Sequence, residues 1–370
     1  MDHAVILAGK SGLNREIRRV GTIEKPFVDH PEYCNRVAKP GDVYISKLFV
    51  YKSNPSLLYS ELQFYHEAGS SGLITNKEMA GLFDDHALAL ADRYHIPILL
   101  VEDDTDLNNV MFEIMNLVIT DRTLKSLGIR IEALLRGAPD PSRMDDLLRE
   151  MKLTLKEHTQ ILYVRAEETL SPLLFQAERG NHFLPAFQGL LFIISESDQN
   201  AIARRVSALT NKLRKTSMTY AVGLSSYSKG SDHLREAIIE ALHAYSYASH
   251  TGKQRFCYEE LDSYSLIAQI SDHAYFHRYM DRFHRQLQNF DPDDHFDILN
   301  MMEVFILAEG NKKKAASDLF IHEGTLRYRL NRLKDHLRIP SDRDFYAEIK
   351  MLVYGEWVLQ DDILAKIKAD

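Results

Sequence analysis

The chain has 370 residues, of which 45% are hydrophobic and 26% are charged, and its formal net charge is −8. This composition is that of a soluble globular protein, and the length predicts about two to four domains. The acidic balance disfavours non-specific nucleic-acid binding by the whole surface, so any contact with DNA has to be local. The two cysteines, Cys34 and Cys257, stand apart in sequence and favour a reducing compartment. No signal peptide or membrane helix is evident, so we expect a cytoplasmic protein with no membrane partner.

The first 120 or so residues alternate between predicted strands and helices. We predict strands over 42–46, 72–75 and 96–101, and helices over 56–68 and 79–93. This alternation implies parallel strands joined by helical crossovers. A long amphipathic helix over 107–135 follows, with Gly128 as its one weak point. We interpret it either as a coiled-coil connector or as an interdomain helix packed on a core, and it ends at a plausible linker, 136–141.

A second α/β unit is predicted beyond the linker. The expected strands are 160–164, 182–186, 189–195, 219–224 and 255–258, and the expected helices are 168–177, 199–215 and 232–249. The resulting order is β-α-β-β-α-β-α-β. From residue 264 onward no strand is indicated, and the C-terminal third is predicted to be helical. The fold class is therefore multidomain α/β plus all-α.

The most basic part of the chain lies in residues 310–339. There eight Lys and Arg residues stand against three acidic residues, although the whole chain is acidic. We predict a short helix over 312–319 capped by Asn311, a turn of three residues, and a further helix over 323–337. This is the layout of a helix-turn-helix.

The last of these helices has one apolar stripe and one polar face. The stripe is formed, with the spacing i, i+4, i+7 and i+11, by Leu326, Leu330, Leu333 and Leu337. At about 100° per residue, the opposite face carries Gly324, Tyr328, Asn331 and Arg332, with Thr325, Arg327 and Arg329 on its flanks. Such a face suits the major groove, where base edges are read while Lys and Arg hold phosphates. The alternative is a solvated helical hairpin with an ordinary basic surface.

The run LFIHEGTLRYRL, with Asn311 and an Ala-Ala pair before it, resembles the C-terminal Fis-like helix-turn-helix of PucR-type (purine catabolism regulator-like) bacterial transcription regulators. The resemblance implies that His322, Thr325, Arg327, Tyr328 and Arg329 lie in or beside the groove. With the helix faces, it gives a predicted DNA-binding set of Lys312, Lys313, His322, Thr325, Arg327, Tyr328, Arg329, Asn331 and Arg332. Glu323 departs from the family, in which this place is often basic. Its carboxylate repels phosphate, although it accepts a hydrogen bond from cytosine N4.

The N-terminal segment 7–20 resembles the opening of the PucR-type N-terminal domain, and the order of the following strands agrees with that family. The resemblance implies a sensory domain for a small metabolite. A P-loop is disfavoured although the sequence contains Gly9-Lys10-Ser11, because the first glycine of that motif would fall at Ala4. Arg15, Arg18 and Arg19 are candidates for an anionic effector or plain surface residues.

The middle domain resembles the GGDEF-like domain of the family, with the element order of a nucleotide-cyclase palm. The hairpin position reads Ala186-Phe187-Gln188-Gly189-Leu190, and no Gly-Gly-acid-acid-Phe motif exists in the chain. Without carboxylates to hold a metal ion, phosphoryl chemistry lacks charge stabilisation. We interpret the domain as a degenerate scaffold. His273, His277 and His284 have a spacing that can bind zinc, but ordinary helix histidines are the favoured interpretation, so no metal is predicted.

The sequence as a whole predicts a DNA-binding transcription regulator that responds to a small metabolite and has no catalytic residues and no cofactor. The predicted divisions are a sensory domain (1–120), a helical connector (121–150), a degenerate GGDEF-like domain (151–262) and a helical domain (263–370) with the helix-turn-helix at about 295–338. The expected partners are double-stranded DNA, an unknown effector and further copies of the chain. One alternative is an enzyme or nucleotide-binding protein whose C-terminal helices mediate assembly. Another is an interaction scaffold that has lost DNA binding.

Overall fold

A computed structural model describes residues 4–23, 26, 38–137, 140–167, 170, 182–216, 218–231, 233–288, 290 and 297–368. It has two compact units, Met1–Thr123 and Leu124–Asp370. The strands are β1 Val5–Ala8, β2 Arg19–Thr22, β3 Asp42–Ile45, β4 Gly72–Asn76, β5 Ile98–Val101, β6 His158–Ala166, β7 His182–Ala186, β8 Gly189–Glu196, β9 Tyr220–Leu224 and β10 Arg255–Cys257. No helix among the described residues is long and apolar enough to cross a membrane.

The α-helices are numbered in chain order. They are α1 Leu57–Glu67, α2 Asp85–Tyr94, α3 Leu107–Arg136, α4 Pro141–Glu150, α5 Gln199–Arg214, α6 Leu234–Thr251, α7 Ser263–Ile270, α8 Ala274–Gln288, α9 Ile298–Leu307, α10 Lys312–Asp318, α11 Glu323–His336, α12 Asp342–Gln360 and α13 Asp362–Lys368. The mixed α/β front and the helical C-terminal third agree with the predicted fold class. Of the predicted helix 168–177, only residue 170 is among the described residues, so the helix itself is not described.

The first unit contains a five-stranded sheet in the order β1-β5-β4-β3-β2. Strands β2 to β5 are parallel, as the alternation of strands and helices predicts, whereas β1 runs antiparallel to β5. The sequence pattern did not indicate β1 or β2. Both lie at edges of the sheet. Strand β1 is a short apolar run, but the side chains of Val5 and Ile6 are exposed, and β2 mixes Arg19, Gly21 and Thr22 with a single large apolar residue.

The predicted helix over 79–93 is wrong in its first part. Residues Lys77–Leu82 form a 3-10 helix, and the α-helix begins only at Asp85. Phe83 is extended, and the Asp84 carboxylate accepts a hydrogen bond from the Ala87 backbone N–H at 2.9 Å. The aspartate thus caps a new helix N-terminus and ends the preceding turn.

The second unit contains a sheet in the order β10-β9-β6-β8-β7. Strand β6 is antiparallel to both β8 and β9, β7 and β8 form an antiparallel hairpin, and β10 is parallel to β9. Before this sheet, the predicted linker leads directly into α4, a helix that the sequence pattern did not indicate. Pro141 occupies its first turn, and Asp140 accepts a hydrogen bond from the Ser142 backbone N–H at 3.1 Å.

Helix α3 packs on a core in each unit. Leu107, Val110 and Ile114 are buried in the first, and Leu127 and Ile131 are buried in the second. The two interpretations of this helix, as a coiled-coil connector or as an interdomain helix, stay predictions.

Gly128 is a requirement of α3 packing rather than a weak point of the helix. A Cβ atom at this position would lie 1.7 Å from the carbonyl oxygen of Pro185, so only glycine lets α3 approach β7. One helical turn later, the Glu132 carboxylate accepts a hydrogen bond from the Phe187 backbone N–H at 2.5 Å. The β7–β8 hairpin is therefore held by α3.

The C-terminal helices pack against the sheet-containing part of the second unit. Tyr247 on α6 meets Tyr264 on α7 and Tyr354 and Trp357 on α12, with ring centroids 5.2–6.0 Å apart. Aromatic pairs at such distances contribute packing energy beyond the area they bury. This cluster packs α12 against α6 and α7. Helices α9, α10 and α11 pack in the same core as α12.

Candidate nucleic-acid interface

The first helix of the basic segment is short and closely packed. The Asn311 side chain accepts a hydrogen bond from the Lys314 backbone N–H at 3.1 Å, which confirms the predicted cap. Ala315 and Ala316 are buried, so neighbouring helices approach α10 at these small side chains. Gly310, with φ of 77°, closes the preceding turn.

The turn between α10 and α11 is closed by hydrogen bonds at both ends. The Ile321 backbone N–H donates to the Ala316 carbonyl at 3.0 Å. The imidazole Nδ1 of His322 accepts from the Gly324 backbone N–H at 3.1 Å, so this side chain caps α11. His322 remains exposed and keeps its other ring nitrogen, Nε2, for a ligand. Its position is therefore set by the helix it caps.

The leucine stripe of α11 faces inward. Leu326, Leu330 and Leu333 are buried, with exposed fractions of 0%, 2% and 0%, and Leu337 is half-buried. These residues pack into the same core as Ala315 and Ala316 of α10. The predicted inward seam is confirmed, and the opposite side of α11 faces solvent.

The solvent side of the two helices presents most of the predicted DNA-binding set. The exposed members are Lys313, His322, Thr325, Arg327, Tyr328 and Asn331. The half-buried members are Lys312, Arg329 and Arg332. No member is buried, and every member lies on α10, on α11 or at the residue that caps α11. Whether each residue contacts DNA stays a prediction.

Two of the arginines on this face have neighbours that orient their guanidinium groups. Arg327 Nη2 lies 2.7 Å from Glu323 Oε1, one helical turn earlier. The guanidinium of Arg332 lies over the rings of Tyr328 and Phe290, at 5.9 Å and 5.4 Å from their centroids. Such contacts reduce the number of orientations available to long side chains before they bind a partner.

Lysine side chains beside the face are partly neutralised by Asp342 of α12. Lys334 Nζ lies 2.6 Å from its carboxylate, and Lys312 Nζ lies 3.9 Å from it. The hydrogen bond from Lys334, together with the positive charges of both lysines, lowers the pKa of Asp342. Lys312 is therefore a weaker candidate for a phosphate contact than Lys313.

Phe320 is a notable residue of this surface that the sequence pattern did not single out. Its side chain is 96% exposed, and its backbone has φ of 56°, in the left-handed region that favours glycine. A bulky residue there carries conformational strain without gaining burial. The available signal in the sequence was its position in the short turn between α10 and His322, the residue that caps α11.

We expect Phe320→Gly to stabilise the α10–α11 pair by about 0.5–1 kcal/mol. A residue with a Cβ atom costs about 1–2 kcal/mol in the left-handed conformation, and glycine avoids that cost but loses more entropy on folding. Amide hydrogen exchange of the two helices measures the change. The control Phe320→Ala keeps the Cβ atom and should stay within about 0.5 kcal/mol of the parent. A lower stability for the glycine variant would contradict the prediction.

Other segments with candidate chemistry serve local structure. Residues Lys10–Gly12 form a 3-10 turn rather than the start of an α-helix, and the Gly9 backbone N–H donates to Asp92 at 2.6 Å. A Cβ at Gly12 would lie 2.0 Å from the His95 carbonyl oxygen. The Gly-Lys-Ser run thus packs against the end of α2 and does not form a phosphate-binding loop.

The three N-terminal arginines make internal contacts. Arg15 donates to the carbonyl oxygens of Ser70 and Tyr94 at 2.7 Å and 3.0 Å. Arg19 pairs with the buried carboxylate of Asp42, and Arg18 pairs with Glu16 at the surface. These contacts favour structural roles over an effector site for Arg15 and Arg19.

The histidines in and just before α8 are not gathered into a ligand set. His284 Nε2 lies 2.5 Å from Glu356 of α12, while the ring of His273 stacks on Tyr275. Over the described ranges no three His, Cys, Asp or Glu side chains are placed to hold a metal ion.

Comparison with known proteins agrees with this geometry. The model of the purine catabolism regulatory protein-like family, PucR, matches residues 1–118, and that of the PucR C-terminal helix-turn-helix domain matches residues 298–347. The chain is also 23% identical over 179 residues to the proline-responsive transcriptional activator PutR of Bacillus subtilis (strain 168). That alignment covers 46% of this chain and 44% of the relative, so less than half of each is compared. The resemblance to PucR-type transcription regulators is therefore confirmed: the chain carries the PucR domain at its N-terminal end and the PucR helix-turn-helix domain near its C-terminal end.

Proposed function

We propose that the chain is a sequence-specific DNA-binding transcription regulator controlled by a small metabolite. The observation that carries this proposal is the cationic outer face of α11 above a buried leucine seam. Thr325, Tyr328 and Asn331 lie near the start and middle of that face, where a recognition helix meets base edges. Arg327, Arg329 and Lys313 are suited to phosphate or guanine contacts.

The proposed response to a metabolite rests on the N-terminal domain and on the relative. That relative is named as a proline-responsive activator, which favours an activator of catabolic genes for this chain too. No enzymatic step is part of the proposal.

The middle domain is proposed to be a degenerate GGDEF-like palm. Its strands β9-β6-β8-β7 give the order four-one-three-two of a β-α-β-β-α-β unit. At the hairpin where a cyclase has its signature, Phe187 is buried and its carbonyl accepts a hydrogen bond from the Tyr163 hydroxyl at 2.8 Å. A turn closed in this way supports a scaffold role better than catalysis.

We further propose that the regulator binds DNA as a homodimer or higher oligomer. A single short recognition helix offers few contacts, and paired half-sites about 34–36 Å apart are the common solution. Phe112 and Ile119, seven residues apart on α3, are each 58% exposed and offer apolar area for such an assembly.

Selection from random duplexes with the purified full chain at low salt tests the proposed function. We expect enrichment of one motif with two half-sites. The logarithm of affinity should then fall linearly with the logarithm of salt concentration, by about 0.9 for each phosphate contact. Failure to enrich any motif at low salt would rule against the regulator and favour an assembly or scaffold role for the C-terminal helices.

A further inference from the structure

A residue that precedes the matched helix-turn-helix domain contacts the C-terminal end of α11. Helix α8 ends at Gln288, and Phe290 follows it, whereas the family model begins only at residue 298. The ring centroid of Phe290 lies 4.9 Å from that of His336, in the last turn of α11, at an interplanar angle of 72°. Phe290 is half-buried and packs against the core that contains the leucine seam. Helix α11 is therefore contacted by a residue that the family model does not include.

A hydrogen bond joins the same two helix ends. His336 Nε2 lies 2.8 Å from the carbonyl oxygen of Gln286, in the last turn of α8. A carbonyl oxygen can only accept, so the imidazole donates this hydrogen bond. Carbonyl groups in the last turn of a helix have no partner within the helix, and His336 supplies one. The end of α8 and the end of α11 are thus held together by a hydrogen bond and by a contact between two rings.

Phe290 also contacts an arginine of the predicted DNA-binding set. The guanidinium of Arg332 lies 5.4 Å from the centroid of the Phe290 ring and 5.9 Å from that of the Tyr328 ring. Arg332 and His336 are one helical turn apart on α11, so a single phenylalanine contacts both. Tyr328 lies one turn before Arg332 and is 62% exposed. The arginine side chain is therefore in contact with one ring of its own helix and with one ring from the segment after α8.

The two rings restrict a side chain that is otherwise mobile. A long charged side chain loses rotamer entropy when it binds a partner, and a side chain that is already ordered loses less. Stacking on a ring uses the face of a guanidinium, whereas hydrogen bonds to phosphate or guanine use the N–H groups at its edge. The ring contacts of Arg332 are therefore compatible with DNA binding and lower its entropic cost.

We propose that Phe290 is a positioning residue for DNA recognition, which holds Arg332 of α11 in the orientation in which this arginine contacts the duplex. Phe290 acts through Arg332 and does not itself read the DNA. The DNA-binding unit of this chain then begins at the end of α8, before the matched domain. The proposal rests on the proposed function, because it concerns how the outer face of α11 binds a duplex. Its failure would leave that function intact, because the other residues of the face remain.

A double-mutant cycle on the selected duplex tests this role in the full chain. Phe290→Leu removes the ring and keeps an apolar side chain, so affinity should fall about two- to fivefold, which corresponds to one contact between a ring and a guanidinium. In the Arg332→Gln background the same change should have no further effect, because the group that the ring positions is gone. Phe290→Tyr keeps the ring and should bind like the parent chain.

The matched control removes a ring that contacts a guanidinium away from α11. Tyr275, on α8, is 70% exposed and its ring centroid lies 4.3 Å from the Arg278 guanidinium, so Tyr275→Leu should bind like the parent chain. Equal losses from Phe290→Leu in both backgrounds would show a purely structural role and overturn the proposal. Parent-like binding by Phe290→Leu, or a similar loss in Tyr275→Leu, would overturn it as well. A parent chain that selects no duplex would instead remove the proposed function and the positioning role together.

Discussion

Leu330→Ala is expected to destabilise the α10–α11 pair by about 2–5 kcal/mol and to abolish specific DNA binding. Leu330 is 2% exposed, lies midway along the seam of α11 and packs in the core that also contains Leu326 and Leu333. Truncation removes buried methyl groups and leaves a cavity that the surrounding helices fill only in part. Because the seam alone fixes which side of α11 faces outward, its loss removes the ordered binding face.

Amide hydrogen exchange of α11 and binding to the selected duplex measure the two effects. The comparison variant is Asn331→Ala, the next residue in the chain, which is exposed. It should change the stability of the helix pair by less than about 0.5 kcal/mol, while it weakens binding to the preferred duplex. If Leu330→Ala bound DNA as tightly as the parent chain, the seam would not be what orients the recognition helix.

The period of the leucines explains why this part of the chain was predictable from sequence. Four leucines at i, i+4, i+7 and i+11 leave one orientation of a helix that buries them all. The Asn311 cap and the Ala-Ala pair add local signals of the same arrangement. The parallel strands β3, β4 and β5 were likewise evident, because each contains adjacent apolar residues, several of them β-branched, between helices and turns.

The features that sequence did not reveal depend on contacts between distant residues or on edge positions. Gly128 resembles a flaw in an isolated helix, and its necessity is visible only where Pro185 approaches. Strand β1 pairs with a neighbouring strand on one side only. Asp84 caps a helix because the preceding residue, Phe83, has an extended backbone that ends the 3-10 helix. The sequence pattern did not indicate this break.

Arg327→Ala is expected to lower affinity for the preferred duplex by about 1–3 kcal/mol, as expected for loss of a bidentate contact to a base. The side chain is 60% exposed and is directed by its 2.7 Å contact with Glu323. An equal loss on every duplex, with a salt slope reduced by about one, would identify a phosphate contact instead. Arg327→Lys separates the cases further, because lysine keeps the charge but cannot form the bidentate pair. Arg204→Ala, on α5, should leave binding unchanged.

Glu323→Gln completes the same test, because it removes the acid while it keeps the size and the hydrogen-bonding capacity of the side chain. If repulsion between the carboxylate and phosphate outweighs its help in orienting Arg327, affinity should rise severalfold on all duplexes, since one negative charge leaves the interface. If it accepts a hydrogen bond from cytosine, affinity should fall only on duplexes with cytosine at one position. Asp335→Asn, which removes an exposed acid near the other end of α11, is the control for a general change in net charge. Binding that is unaffected by Glu323→Gln and by Arg327→Ala alike would show that the start of α11 does not enter the groove.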